Sequence, residues 1–527
     1  MNGDLTPAQK QLVRAKQAWA RRDVWSPWIE DAYSYCLPHR RSNQSGAKLN
    51  NERIFDMTAS MAVVFSAGNL KNDMFPTGQS KIELEPGPII KSRLPVNEVR
   101  SFERMLSKTG DQIDPFFNQG GFDTAMEETF QDVMIGTGAI MPVRGNHNDP
   151  VFFANIPIDN FAPMGDAWGR FNFGSWKQKF TYQQIKEGWP DGKYDKNFSE
   201  NLKAKPDTEV DLYQDFFKLK DGRWQYVAYT EKSDDFIVRD VTNAQPIAPI
   251  RYSAGGGEMM GRGPVLMAMP TIKTLNKAQE MALRSAAMQM LGIWGYRAGG
   301  TFNPATVSRG AGSFWPMQST GGVLGPDVQR LDVASGRMDV AQMVIGGMRE
   351  DLKQALFGDQ LPSDQGTPKS AQEILARMQR QGQNNRVAAG RISRETMPVL
   401  VPRVAEILHG YGYLKTPLSI NDLTVNIKVR SPMQQAIDAG QLQNNFTYLD
   451  LVNAVAGENA IDEHIEADEL LNDARKVLDI PVKNVPSAAK RQQIRQDKKQ
   501  AEQDMMAIQL AMEADKNAEP QQQGVAA

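Results

Sequence analysis

The sequence predicts a helix-rich α+β chain with more than one substructure. Three observations predict it: apolar residues spaced by three and four before residue 136, a period close to two between residues 139 and 251, and long helical tracts after residue 264. At 527 residues the chain is also several times longer than one compact core needs.

In chain order, Thr6 can cap a helix, Pro7 suits its first position and Gln9 can reach back, so a helix runs to about Arg22. Ile54, Met57, Met61, Val64, Leu70 and Met74 give a second helix one apolar face, which Pro76 ends. Leu84, Glu85 and Pro86 leave an extended segment. Residues 99–117 and 122–134 read as helices, the latter with Phe122, Met126, Phe130 and Val133 on one side, and Gly136, Thr137 and Gly138 break the pattern. Residues 139–143, 151–156, 171–179, 210–219 and 223–230 form an antiparallel β region. Asp221 and Gly222 mark a two-residue hairpin there, and Thr181 with Gln184 caps a short helix.

Gly255, Gly256, Gly257, Gly261 and Gly263 form a glycine-rich loop before a helix from Pro264 to about Gly295, which Pro270 is expected to kink. From Thr271 this helix would run roughly 37 Å. Ile272, Leu275, Ala278, Met281, Leu283 and Ala286 wrap most of its circumference, so it must be covered on most sides. Lys273, Lys277, Glu280 and Arg284 forbid lipid as the cover, leaving protein: the same helix in adjacent copies, or the interior of a monomer. Residues 299–336 are rich in Gly, Ser, Thr and Pro but hold Phe302, Phe314 and Trp315, which marks an interaction module rather than a linker. An amphipathic helix over 338–357 follows, then a polar loop over 358–368 carrying Asp359, Gln360, Ser363, Asp364 and Gln365, with Lys369 just beyond. Ser370 and Glu373 form a capping box for a long helical tract towards His409. One strand over 423–429, further helix, a charged helix over 487–514 and a disordered tail over 515–527 complete the chain, with no internal repeat.

The residues point away from catalysis. Lys plus Arg number 60 against 62 Asp plus Glu, so the chain lacks the basic excess that grips phosphate tightly. The glycine loop has the spacing of a nucleotide-binding motif, but Arg262 and Gly263 stand where Lys and a hydroxyl residue are needed, so a flexible hinge is expected instead. His39, His147, His409 and His464 are scattered, and Asp462, Glu463, Glu466, Asp468 and Glu469 around the last lack the alternation of a calcium loop. The single Cys36 reads as a small buried thiol in a chain made in a reducing cytoplasm. No catalytic residue, metal ligand or cofactor is expected, nor any signal peptide or membrane span. Arg377, Arg380, Arg386, Arg391, Arg394 and Arg403 give the long helical tract a positive bias that a solvated face, intersubunit ion pairs or direct DNA contact would each explain.

Several groups of residues in their order carry a resemblance: Ala67, Gly68, Asn69 and Leu70 with Met74, Phe75 and Pro76; residues 127–143 with Gly136, Thr137 and Gly138; Gly261, Arg262, Gly263 and Pro264; the loop before Ser370; and Val429, Arg430, Ser431 and Pro432. From about Trp25 to Ala460 the chain resembles the head-to-tail connecting (portal) proteins of T7-like and related podophages. The resemblance implies a portal-type ring subunit, usually one of a dodecamer, with wing, stem, clip and crown around an axial channel. Transferred here, it makes 1–261 the wing, 262–298 a stem helix, 299–336 the clip and 337–357 a second stem helix. Residues 358–368 become a tunnel loop, 369–433 the wing's long helix and strand, and 434–514 the crown.

The implied role is to conduct double-stranded DNA into and out of the capsid at its unique vertex in the virion, after assembly in the host cytoplasm. Implied partners are other copies of the chain, a terminase and then a tail adaptor on the clip, tail proteins, and coat and scaffolding proteins, with no membrane. Asp359, Gln360, Ser363, Asp364, Gln365 and Lys369 would face DNA; Phe302, Phe314 and Trp315 would make clip contacts. Near-neutral composition suits a channel, because many phosphate contacts would stall a sliding polyanion. The alternatives are an internal or ejected virion protein, and a DNA-packaging enzyme.

Overall fold

The computed structural model describes residues 6–40, 54–78, 80–291, 293–296, 328–331, 338–356, 371–414 and 425–429, with scattered residues between 445 and 508. They divide into two compact units, Met1–Gly78 with Phe116–Leu418, and Gln79–Pro115 with Ser419–Ala527. The first opens with α1 (Pro7–Asp23), α2 (Ser26–Cys36) and α3 (Thr58–Met74). The chain then enters the second through β1 (Ile82–Pro86), α4 (Pro88–Arg93) and most of α5 (Val96–Gln119). Back in the first unit come α6 (Phe122–Ile135), β2 (Thr137–Arg144), β3 (Val151–Ile156), β4 (Phe161–Gly165) and β5 (Phe171–Thr181). There follow α7 (Tyr182–Gly188), α8 (Lys196–Ala204), β6 (Glu209–Lys218), β7 (Trp224–Thr230), β8 (Val238–Thr242) and β9 (Ala248–Arg251). The unit ends with α9 (Pro264–Leu291), β10 (Ile293–Tyr296), β11 (Val328–Leu331), α10 (Met338–Ala355) and α11 (Ala371–Gly410), and β12 (Val425–Val429) belongs to the second.

The core of the first unit is layered. An antiparallel meander, β4-β5-β6-β7-β8, forms the central sheet. α1 starts with the capping box of Thr6 and Gln9 and lays an alanine face, Ala8, Ala15 and Ala18, against Phe173, Tyr213, Val227 and Tyr229. Alanines let the helix approach the aromatic sheet face closely. Under this layer Asp215 is fully buried; its carboxylate accepts hydrogen bonds from Gln11 at 2.9 Å and the Tyr229 hydroxyl at 2.7 Å. Burial still pushes its pKa up to about 6. A second cluster joins Phe161, Trp176 and Phe216 to Ala139, Met141 and Ile156 of the three-stranded sheet β3-β2-β9. α7 and α8 close a third over Leu212 and Ile237.

α3 packs on α6, and an aromatic cluster of Phe75, Phe117, Phe122, Phe130 and Phe153, with ring centroids 5.1–6.2 Å apart, fills the space beside them. Tyr33 and Arg40 reach the fully buried Asp132 at 2.6 and 2.9 Å. Burial raises the Asp132 pKa even against these partners. In the second unit β1 pairs antiparallel with β12, and the Asp114 carboxylate accepts the Lys81 backbone N–H at 2.8 Å.

Four expectations change. The buried face of α3 is small, with Ala59, Ala62, Val63, Ser66 and Ala67 beside Leu70 and Met74; Met57 and Met61 are exposed, because close helix packing on α6 selects small side chains. The hairpin at Asp221 and Gly222 is longer than two residues: Gly222, at φ 90°, donates its N–H to Leu219 between strands that end at Lys218 and resume at Trp224. The helix after Pro264 stops at Leu291 rather than near Gly295, and β10 and β11, unforeseen, pair antiparallel from Ile293↔Leu331 to Tyr296↔Val328. The end of the expected hinge, Gly261 to Gly263, is clamped by contacts described below.

Candidate functional site

The glycine loop is a clasp at the base of α9. Gly263 donates its N–H to the Ile135 carbonyl at 2.8 Å, Gly261 to the Thr137 hydroxyl at 2.7 Å, and Arg262 to the Ser253 carbonyl at 2.6 Å. Backbones meet so closely that a Cβ on Gly261 would lie 2.1 Å from the Gly136 carbonyl oxygen, and one on Gly263 2.1 Å from that of Met134. Glycine is required there for space. The amides of Gly261, Arg262 and Gly263 are thus committed to the protein rather than to a ligand. Beside the clasp, Glu395 of α11 accepts the Arg251 backbone N–H at 2.9 Å and its Nε at 3.0 Å, while Arg251 Nη1 donates to the Glu258 carbonyl at 2.9 Å.

A little over three turns further along α9, Asn276 Oδ1 accepts the backbone N–H groups of Phe55 and Asp56 at 2.7 and 3.2 Å. The Asp56 side chain, 3% exposed, accepts Arg349 Nε of α10 at 2.8 Å, and Arg349 Nη2 donates to Gln279 Oε1 of α9 at 3.3 Å. Burial alone would raise the Asp56 carboxyl; hydrogen bonds from Thr58 and the Arg349 guanidinium outweigh it and hold the carboxyl below its usual range. This buried knot ties α9 and α10 to the segment before α3. Asp56, Asn276, Gln279 and Arg349 were not singled out from the sequence, since no local pattern links residues up to 293 positions apart.

Past the knot α9 and α10 continue side by side, α9 into β10 and β11 back into α10. Twelve residues separate Gln279 from Leu291 and eleven separate Met338 from Arg349, so the pair extends roughly 17 Å before the ribbon begins. Its inner seam is modest: Ala278, Ala282 and Ala286 are half-buried and Ile345 is buried. Its outer surface is not. Met281 is 60% exposed and Met343 77%, with Leu283, Val340 and Val344 also exposed. The expectation that α9 is covered on most sides therefore holds only up to Asn276 within one chain.

Lys273 pairs with Asp31 of α2, while Lys277 at 2.9 Å and Arg284 share Glu280, whose pKa the hydrogen bond from Lys277 and the two positive charges lower. Arg403 is held by Glu406 at 3.0 Å and approaches Asp240 at 4.0 Å, an ion-pair use within this chain. Phe302, Phe314 and Trp315, like Asp359, Gln360, Ser363, Asp364, Gln365 and Lys369, lie outside the described residues, as do the side chains of Arg377, Arg380 and Arg386 and the acidic stretch around His464. Among the described residues no His, Cys, Asp and Glu side chains gather as a metal site, and no helix is long and apolar enough to cross a membrane. Burial pushes the Cys36 thiol up to about 12.

Residues 8–485 match the family described as "Bacteriophage head to tail connecting protein". No curated protein matches the chain. Two solved structures are similar to it: a virion of a native gene transfer agent particle, at 12% identity over 68% of this chain and 84% of that one with TM-score 0.29, and a neck of an empty gene transfer agent particle, at 13% identity over 80% and 90% with TM-score 0.35. At such scores neither likeness carries weight.

Proposed function

The chain belongs to the bacteriophage head to tail connecting protein family, a structural and non-catalytic one, and from that premise we propose that it is the portal subunit of a podophage of the T7-like kind. Twelve copies would close a ring at the unique capsid vertex, with DNA entering during packaging and leaving at ejection through the axis. The observation that carries this reading is the α9–α10 pair: rooted by a buried knot and a backbone clasp, it leaves Met281, Leu283, Val340, Met343 and Val344 in water. A strut with charged and large apolar side chains on its outside is unfavourable alone and is accommodated between copies.

In this reading the pair is the stem. The ribbon β10–β11 leads into the clip, where Phe302, Phe314 and Trp315 would meet a terminase and later a tail adaptor. The loop over 358–368 would line the tunnel, with Asp359 and Asp364 repelling DNA phosphates and Gln360, Ser363, Gln365 and Lys369 brushing them. Coat and scaffolding proteins would meet the wing, and residues 434–514 would form the crown. Electron microscopy of the purified full chain, with its mass in solution, tests the reading. Closed rings with an axial hole are expected. A folded monomer that never closes would overturn it and favour an internal virion protein.

A further inference from the structure

At 100° per residue, the side chains of the α9–α10 pair sort into two unlike outer faces. On α9, Lys273, Lys277, Glu280 and Arg284 fall within an arc of about 60°, flanked on either side by Leu283 and Met281. On α10, Asp339, Glu350 and Asp351 share an exposed arc of about 140° with Val340, Met343 and Val344. Arg349 turns inward to Asp56, and Lys353, to the side of the arc, pairs with Glu350 at 2.8 Å, which leaves the arc net negative through Asp339 and Asp351. One face is net positive with an apolar border, and the other is acidic and apolar.

We infer that the outer face of α9 in one copy docks on the outer face of α10 in the next copy. The inference rests on the ring reading and names the surfaces that make the ring. Stacking α9 on α9 of a neighbour, as the sequence alone suggested, would set two net-positive faces together, since Glu280 offsets only part of the charge of Lys273, Lys277 and Arg284; α10 sets a net-negative face against them. Two different, complementary faces make a heterologous contact, which closes into a ring when the rotation permits, whereas a self-complementary face would stop at a dimer. Met281 and Leu283 then bury against Val340, Met343 and Val344, so the apolar surface that one chain leaves in water is covered.

Two experiments on the full chain test this. Leu283→Cys combined with Met343→Cys places thiols on opposite outer faces, beside the single native Cys36, which is buried. Mild oxidation should give a ladder of covalent oligomers reaching ring size. Rings of normal size with no ladder would overturn the pairing and leave the ring reading intact, whereas wild-type chain that makes no rings would overturn the ring reading itself. Separately, Lys277→Glu with Arg284→Glu should raise the protein concentration at half assembly about tenfold or more, and adding Glu350→Lys with Asp351→Lys should restore it. Reversal without rescue, in chains that keep the wild-type circular dichroism, would also overturn it; should the reversed chain misfold, the cysteine ladder alone decides.

Discussion

The layer formed by α1 and the five-stranded sheet and the pair formed by α9 and α10 use similar helices to opposite ends. α1 turns its alanines to aromatic residues of the same chain and keeps its cations for local work: Arg14 sits 4.4 Å from the Phe173 ring and Lys16 pairs with Glu231 at 2.8 Å. The α9–α10 pair spends its alanines on its own thin seam and turns methionine, leucine and valine outward. A closed layer stabilises the subunit, and in the proposed ring the open pair would stabilise the assembly. The difference lies in which side of the helix carries the large residues, not in how apolar the helix is.

Substitutions should separate the two regions. The largest effect is expected at the clasp that roots the open pair on α6 and β2. Gly261→Ala forces a Cβ into the Gly136 carbonyl and should cost about 4 kcal/mol or more, read as a lost or greatly lowered thermal transition. A melt within a few degrees of wild type would mean the clasp can open. In the closed layer, Phe173→Ala should cost about 3–4 kcal/mol through the cavity it leaves against α1, measurable by urea denaturation.

Next comes Asp215 in the same layer. Its folded pKa of about 6 lies above the ordinary 3.8, so between those values the folded chain holds a proton that the unfolded chain has released. Stability from this group is therefore greatest below pH 4 and falls as pH rises to about 6, by up to roughly 3 kcal/mol. Asp215→Asn should remove that fall, so its advantage over wild type should grow from pH 4 to pH 6 and then level off. A deficit unchanged across that range would show that the charge itself is needed. The smallest effect on the fold is expected on the open pair: Met343→Ser should change subunit stability by no more than about 0.5 kcal/mol while reducing ring formation in sedimentation. If it melted the subunit instead, the contrast between closed and open regions would fail.

Sequence reasoning read the local signals well. The capping boxes at Thr6 with Gln9 and at Thr181 with Gln184 are formed, β1 and β12 fall where extended segments were expected, and α11 runs unbroken through Pro398 and Pro402. What it missed depends on partners far away in the chain. Nothing in Gly261 and Gly263 announces that Gly136 and Met134 will press against them. β1 and β12 are separated by more than three hundred residues, so their common unit is invisible to any window. Ile293, Trp294, Gly295 and Tyr296 continue the apolar run of α9, and a short apolar run does not distinguish helix from strand. On α3, large residues drew the eye to the wrong face, since Ala59, Ala62 and Ser66 carry little hydrophobic signal yet permit the contact with α6.

The paired ribbon also bears on how such a chain can change over generations. Because Tyr296 leaves and Val328 returns side by side, whatever sequence connects them begins and ends at the same place. The connecting stretch is in effect a cassette: it can be lengthened, shortened or exchanged for another without altering the register of β10 and β11 or the footing at Asp56 and Gly261. In the proposed portal reading, selection could thus refit the clip to a new mate while the shaft beneath it stays the same.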